Sequence, residues 1–158
     1  MGNEVFITPK RLVMAAGLGS AALLIAALGF QYIGGLAPCK MCLWQRYPHV
    51  AAVFVAALFF VFQYRSVAAL GAAASLATAG IGFYHAGVER SWWEGPNSCT
   101  SGAIGGMSTE DLINQIMAAP MVRCDEIPWA LWGLSMAGWN ALLSLALAGL
   151  WMMALRRL

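Results

Sequence analysis

Charged residues are scarce in this chain. Lysine, arginine, aspartate and glutamate make up 10% of its 158 residues, whereas 61% are hydrophobic and the mean hydropathy is +0.70. A soluble domain usually has about 25% charged and about 45–50% apolar residues. The composition therefore excludes an ordinary soluble domain and predicts a protein that lies in a lipid bilayer. No nucleic-acid partner is expected.

Charge is absent altogether from four long hydrophobic runs, at 12–33, 47–63, 67–88 and 131–155. A membrane-spanning helix needs about 20 residues, with a range of about 17–25. We therefore predict an all-α membrane protein, a four-transmembrane-helix bundle that forms a single membrane domain over 1–158, with loops at 34–46 and 89–130. The first run is longer than the core of a cleaved signal peptide, which is about 7–15 residues.

Lysine and arginine are distributed unevenly between the two sides of this topology. The side that carries both termini has five of them and the other side has four: Lys10, Arg11, Arg65, Arg156 and Arg157 against Lys40, Arg46, Arg90 and Arg123. Lysine and arginine favour the cytoplasmic side. The termini are then cytoplasmic and all four cysteines are exported, where disulfides persist.

The loop at 89–130 is too long for a simple connection, because loops beyond about 12–15 residues are usually functional or disordered. Within it, Ser108 and the acidic residues Glu110 and Asp111 are typical of a helix start. The following apolar residues fall on one helical stripe: Leu112, Ile113, Ile116 and Met117. We predict a short amphipathic helix in an exported loop, which lies on the membrane or packs against the bundle.

Cysteine is rare, with four residues in two pairs of unequal spacing: Cys39 and Cys42, then Cys99 and Cys124. A disulfide between Cys39 and Cys42 closes a very small ring and stabilises little through chain entropy. Such a pair is better explained as a bond that is made and broken. Lys40 and Arg46 lie nearby, and cations favour the nucleophilic thiolate.

Other uses of these cysteines fit the sequence less well. A zinc ribbon usually has two Cys-x-x-Cys pairs, and only one is present, so no metal is predicted. Covalent haem requires a histidine where Leu43 stands. Two structural disulfides in a membrane protein of another function remain an alternative. His85, near the exported end of the third span, is either a satisfied interfacial residue or a group that handles protons or contacts a quinone.

The stretch Cys39-Lys40-Met41-Cys42-Leu43-Trp44-Gln45-Arg46 resembles the Cys-x-x-Cys-x-x-Gln-Arg signature of the DsbB family of membrane disulfide-oxidising enzymes. The resemblance covers the whole chain, including Tyr84 to Glu89, Cys99, and Cys124 to Trp129. It implies a four-helix protein of the bacterial inner membrane with periplasmic cysteines. It also implies that the chain reoxidises a soluble thioredoxin-like partner, DsbA, which is a strong oxidant and needs a membrane oxidant to be regenerated.

Residue roles follow from the resemblance alone. Catalysis is assigned to Cys39, Cys42, Cys99 and Cys124, with Cys124 favoured over Cys99 for the mixed disulfide with the partner. Cys39 is then the sulfur that exchanges with the loop pair, and Cys42 faces a membrane quinone, with ubiquinone favoured over menaquinone. Arg46 supports the quinone carbonyl, and His85 matches a quinone-site histidine only loosely.

The sequence thus predicts a quinone-dependent protein-disulfide oxidoreductase. Its alternative is a non-enzymatic membrane interaction subunit with two structural disulfides. A carrier that moves reducing equivalents outward would need a cysteine accessible from the cytoplasm, and this topology places none there.

Overall fold

The computed structural model describes residues 8–97, 99, 108–118 and 122–158. These residues form five helices and one short hairpin: α1 (Pro9–Tyr32), α2 (Lys40–Phe62), α3 (Arg65–Glu89), α4 (Thr109–Ala118), β1 (Ala130–Leu131), β2 (Leu134–Ser135) and α5 (Met136–Arg156). Four of these helices, α1, α2, α3 and α5, are long and apolar enough to cross a membrane. The predicted four-helix membrane bundle with a short loop helix is confirmed.

The long helices pack in a ring, in which α3 lies against α2 and α5, and α1 closes the ring against the same two helices. Two buried clusters occupy opposite ends of the bundle. The cluster at the end nearer the chain termini is apolar and contains Val13, Phe59 and Trp151. The cluster at the other end contains Cys39 and Cys124 and is the part of the fold that concerns function.

The second helix begins at Lys40, earlier than the predicted residue 47. Cys39 is its N-cap, and Pro48 lies inside the helix rather than at its start. Proline has no N–H, so one intrahelical hydrogen bond is missing at Pro48, yet the helix continues. The Cys-x-x-Cys pair therefore lies at a helix N-terminus, and not in the loop predicted at 34–46.

The last long helix begins at Met136 rather than at residue 131. The residues before it form an antiparallel hairpin in which Ala130 pairs with Ser135. Trp132 and Gly133 both have positive φ, of 50° and 76°, as a two-residue hairpin turn of type I′ requires. Hydropathy does not detect this turn, because Leu131 and Trp132 are as apolar as a membrane span.

The predicted loop helix is α4, which starts directly after Ser108. Two residues of its expected apolar stripe, Ile113 and Met117, are exposed. The side chains of Leu112 and Ile116 lie outside the described part of the structure.

Gly71 is a close-contact point between α3 and α5. A Cβ at this position would collide with the ring of Trp151, whose side chain is fully buried. Gly80 lies on the same helix and has open space around it. The first glycine is therefore required by packing, and the second is not.

We predict that Gly71→Ala lowers the free energy of unfolding by about 1–3 kcal/mol, as overpacking of a core usually does. Gly80→Ala is the matched control and should be neutral or slightly stabilising, since alanine is the better helix former. Thermal unfolding of the purified variants in detergent measures both. Equal unfolding midpoints for the two variants would contradict the packing assignment.

Candidate functional site

Cys39 and Cys42 are held together by the start of α2. The backbone N–H of Cys42 donates a hydrogen bond of 3.2 Å to the sulfur of Cys39, which thereby caps the helix. The first N–H groups of a helix have no intrahelical partner and favour negative charge at this end. The local fold therefore places the Cys39 sulfur where a thiolate is stabilised.

The two sulfurs of this pair lie 2.8 Å apart, and both cysteines are free. A disulfide bond is about 2.05 Å long, so the pair needs only a small movement to close. Cys39 lies just outside the membrane-spanning helix. Its hydrogen bond with the Cys42 thiol holds the pKa of Cys39 well below the ordinary value, burial opposes this, and contacts with His85 lower the pKa further. Cys39 is thus the readily ionised thiol of the pair.

Cys99 and Cys124 form a disulfide, which is buried beside Cys39 and Val88. The backbone N–H of Cys124 also donates to the carbonyl of Cys99, at 2.8 Å. The Cys124 sulfur, the Cys39 sulfur and a ring nitrogen of His85 all lie within 4.8 Å of one another. The fold therefore brings the two cysteine pairs together, with Cys124 as a neighbour of Cys39.

His85 lies between the two cysteine pairs. Its side chain is 2% exposed, and its Nε2 atom is 3.6 Å from the Cys39 sulfur and 3.1 Å from the Cys124 carbonyl oxygen. Glu89, one helical turn further along α3, has a carboxylate oxygen 3.9 Å from the same nitrogen. The sequence associated His85 with a quinone. The structure places its Nε2 atom beside the Cys39 sulfur and the Cys124 backbone carbonyl, although the residue also lines an adjacent apolar cavity.

This cavity, of about 640 Å³, opens beside the Cys39–Cys42 pair. Its walls come from α1, the start of α2, the end of α3, the 122–132 segment and α5, and they are mostly apolar, with Leu23, Phe30 and Leu143 among them. Ligand pockets usually have this size and character. Both Cys42 and Arg46 line the cavity, because residues four apart lie on the same face of α2.

Arg46 reaches across the cavity to α1. Its guanidinium donates to the side-chain oxygen of Gln31 at 2.7 Å and to the carbonyl of Ala27 at 3.3 Å. None of the ion pairs found in the described part of the chain involves Arg46. A guanidinium has five N–H donors, so donors and an unbalanced positive charge remain for a ligand that carries oxygen atoms. An apolar, ring-sized cavity with such a donor fits a quinone.

Sequence reasoning did not identify several polar residues around this site. Gln31 holds Arg46, and Glu89 accepts a hydrogen bond from Ser135, the residue that also caps α5. His49 and Asn140 lie within predicted spans and bond each other at 2.9 Å. Polar side chains inside apolar runs are functional candidates by default, and this rule would have found His49 and Asn140.

The fold and these distances define a multi-pass membrane protein with two adjacent cysteine pairs, one disulfide-bonded and one free, at one end of its helical bundle. Closely spaced cysteines next to a histidine, with one sulfur at a helix N-terminus, are suited to thiol–disulfide exchange.

Comparison with known proteins agrees with this class. The chain matches the family described as disulfide bond formation protein DsbB over residues 9–154. Similar relatives include disulfide bond formation protein B of Polaromonas sp. (strain JS666 / ATCC BAA-500), 31% identical over 95% of this chain and 92% of the relative. Another is the same-named protein of Verminephrobacter eiseniae (strain EF01-2), 34% identical over 97% and 89%. No solved structure gives a significant match.

The chain therefore belongs to the DsbB family, as its sequence signature indicated. It is a bacterial inner-membrane protein of disulfide bond formation, a disulfide-forming oxidoreductase.

Proposed function

We propose that this protein takes electrons from a periplasmic DsbA-like dithiol protein and passes them through its two cysteine pairs to a membrane quinone. The observation that carries the proposal is the position of Cys39, whose sulfur is close to Cys124 on one side and to the cavity beside Cys42 on the other. The termini would be cytoplasmic and the cysteines periplasmic, in keeping with the distribution of lysine and arginine.

The first exchange would occur at the loop disulfide. A thiolate of the partner attacks Cys99, forms a mixed disulfide and releases Cys124 as a thiolate. The second thiol of the partner then displaces Cys99, so the partner leaves oxidised and the loop pair is left as two thiols. The resemblance favoured Cys124 for the mixed disulfide. The proximity of Cys124 to Cys39 supports the opposite assignment, because the released sulfur must be the one that reaches Cys39.

The second exchange would occur within the protein. The Cys124 thiolate attacks Cys39 of the Cys39–Cys42 disulfide, and Cys42 leaves as a thiolate. Cys99 then attacks Cys124 of the Cys124–Cys39 disulfide, which closes the loop disulfide again and releases Cys39. Cys39 and Cys42 are left as the dithiol seen in the structure. His85 Nε2 is 3.6 Å from the Cys39 sulfur and can donate a hydrogen bond to Cys39 when this residue is released as a thiolate.

A bound quinone would accept the two electrons and two protons of this dithiol as Cys39 and Cys42 rejoin. The chain contributes the apolar cavity, the Cys42 sulfur on its wall, and the guanidinium of Arg46, whose charge suits an oxygen that becomes negative during reduction. We propose ubiquinone, with menaquinone as the alternative.

The order of exchange can be tested by trapping. A DsbA-like protein whose resolving cysteine is replaced should stop at the mixed disulfide, and we expect its sulfur on Cys99. Trypsin cleaves after Arg123 and so separates Cys99 from Cys124, which lets mass spectrometry identify the linked residue. Linkage to Cys124 would reject this order, and the absence of any linkage would reject the partner.

For the quinone end of the site, we predict that Arg46→Ala raises the apparent KM for quinone about tenfold, since a hydrogen bond from a charged donor contributes about 1.5–3 kcal/mol. The KM for the partner should change little, because Arg46 faces the cavity and not the loop disulfide. Steady-state kinetics with each substrate varied in turn measures both values. Arg65→Ala is the control, since it removes an exposed arginine at the other end of the bundle. Unchanged quinone kinetics in Arg46→Ala would remove this residue from the site.

A further inference from the structure

A chain of hydrogen bonds continues from His85 into the membrane-spanning part of the bundle and connects α2, α3 and α5. Its members are polar side chains inside otherwise apolar helices: Gln45, His49, Thr78, His85, Asn140 and Ser144. Gln45 and His49 are 6% and 3% exposed, and Thr78 is fully buried. Polar groups are expensive in this environment unless they are paired. None of the proposed exchange steps explains why this network of hydrogen bonds extends beyond His85.

A contact with a backbone carbonyl shows which way the Gln45 side-chain amide faces. The side-chain nitrogen of Gln45 lies 3.3 Å from the oxygen of Met41 and 2.8 Å from Nδ1 of His85. A carbonyl oxygen can only accept, so the amide N–H₂ group must face this side. His85 Nδ1 is then the acceptor and carries no proton.

The contacts of Nε2, the other ring nitrogen of His85, independently indicate the same tautomer. Its Nε2 atom lies 3.1 Å from the carbonyl oxygen of Cys124, which again can only accept. The proton of a neutral imidazole therefore lies on Nε2, where it also faces the Cys39 sulfur at 3.6 Å. The groups that face this ring are the Cys39 sulfur, the Cys124 carbonyl, the Glu89 carboxylate and the Gln45 amide.

Asn140 of α5 holds the opposite end of the Gln45 amide. Its side-chain nitrogen donates to the Gln45 side-chain oxygen at 2.8 Å and to the Thr78 hydroxyl at 3.1 Å, while Thr78 donates to the Gln45 backbone carbonyl at 3.0 Å. The oxygen of Asn140 is left to accept from Nε2 of His49, at 2.9 Å. The two side-chain amides and the two rings thus each have one allowed orientation, and both histidines carry their proton on Nε2. Nδ1 of His49 is buried and has no hydrogen-bond partner among the described residues.

We propose that Asn140 is a positioning residue for the redox site, which locks the Gln45 amide and through it keeps the His85 ring neutral with its N–H directed at the Cys39 sulfur. An amide turned the other way would present its oxygen to Nδ1, draw the proton to that atom and leave a lone pair of Nε2 facing the sulfur. The significance for exchange rests on the proposed role of Cys39, but the tautomer itself does not.

The chain contains two histidines, and both belong to this network, so selective labelling with ¹⁵N-histidine reports on it alone. With the loop disulfide intact and Cys39–Cys42 reduced, we expect both rings at pH 7 to be neutral, with an unprotonated Nδ1 and a protonated Nε2. Signals of a His85 ring protonated on Nδ1, or on both nitrogens, would overturn the proposal.

The variant Asn140→Leu then tests whether Asn140 is the cause. We expect part of the His85 signal to change to the Nδ1-protonated form. Alkylation of Cys39 by iodoacetamide, measured at a pH low enough for this thiol to be mostly protonated, should slow about fivefold, the equivalent of about 1 kcal/mol for one buried hydrogen bond. Cleavage by trypsin after Lys40 places Cys39 and Cys42 on separate peptides, so each rate is measured alone. Unchanged His85 signals and an unchanged Cys39 rate would reject the role of Asn140.

Ser144→Ala is the matched control, because Ser144 contacts the network only at His49 Nε2, at 3.3 Å. It should leave the His85 signals and the Cys39 rate unchanged.

Thr78→Val keeps the side-chain shape and removes the hydroxyl that accepts a hydrogen bond from the Asn140 amide. We therefore expect a smaller change in the same direction as that of Asn140→Leu. The histidine spectra of the unaltered protein decide the tautomer even if a variant fails to fold. Oxidation of a DsbA-like partner is a separate assay, so loss of the proposed function and loss of this inference are distinguishable.

Discussion

The hydrogen bond from the Cys42 backbone to the Cys39 sulfur is the interaction on which the site depends. It starts α2 at the cysteine pair, and the helical repeat then fixes the directions of the next side chains. Cys42 and Arg46 line the cavity, while Gln45 contacts α3 and α5. A helix that began one turn later would place the pair in a loop and separate it from these neighbours. The capping sulfur is therefore also the more readily ionised one, stabilised as a thiolate by the start of the helix it caps.

The lipid environment explains why most polar side chains around the site are hydrogen-bonded to neighbouring helices. The bilayer core contains no water that could hydrogen-bond an unpaired polar group. A buried histidine or amide is therefore tolerated when neighbouring helices provide hydrogen-bond partners. Here α5 provides Asn140, and the loop before it provides the carbonyl of Cys124. Among the described residues, Arg46 is paired with two neutral acceptors of α1 and with no carboxylate. This leaves a positive charge beside an apolar cavity, which is where a lipid-soluble oxidant with carbonyl groups can bind.

The helical architecture could be predicted from the sequence because long uncharged runs have few alternatives to spanning helices. Its boundaries could not. Hydropathy does not register that a cysteine can cap a helix ahead of Pro48, or that Trp132 and Gly133 adopt positive φ in a hairpin. The same holds for the site. The signature around Cys39 predicted the pair and Arg46, whereas the proximity of Cys124 to Cys39 and the pairing of His49 with Asn140 depend on tertiary packing.

The proposed transfer of electrons from Cys39 and Cys42 to a quinone can be measured as a stoichiometry. Protein with this pair reduced is mixed with ubiquinone without oxygen, and quinol and free thiols are counted. We expect one quinol for each pair of thiols lost at Cys39 and Cys42, and no quinol from Cys42→Ser. Quinol formation that persists in Cys42→Ser, or thiols that survive excess quinone in the unaltered protein, would contradict it.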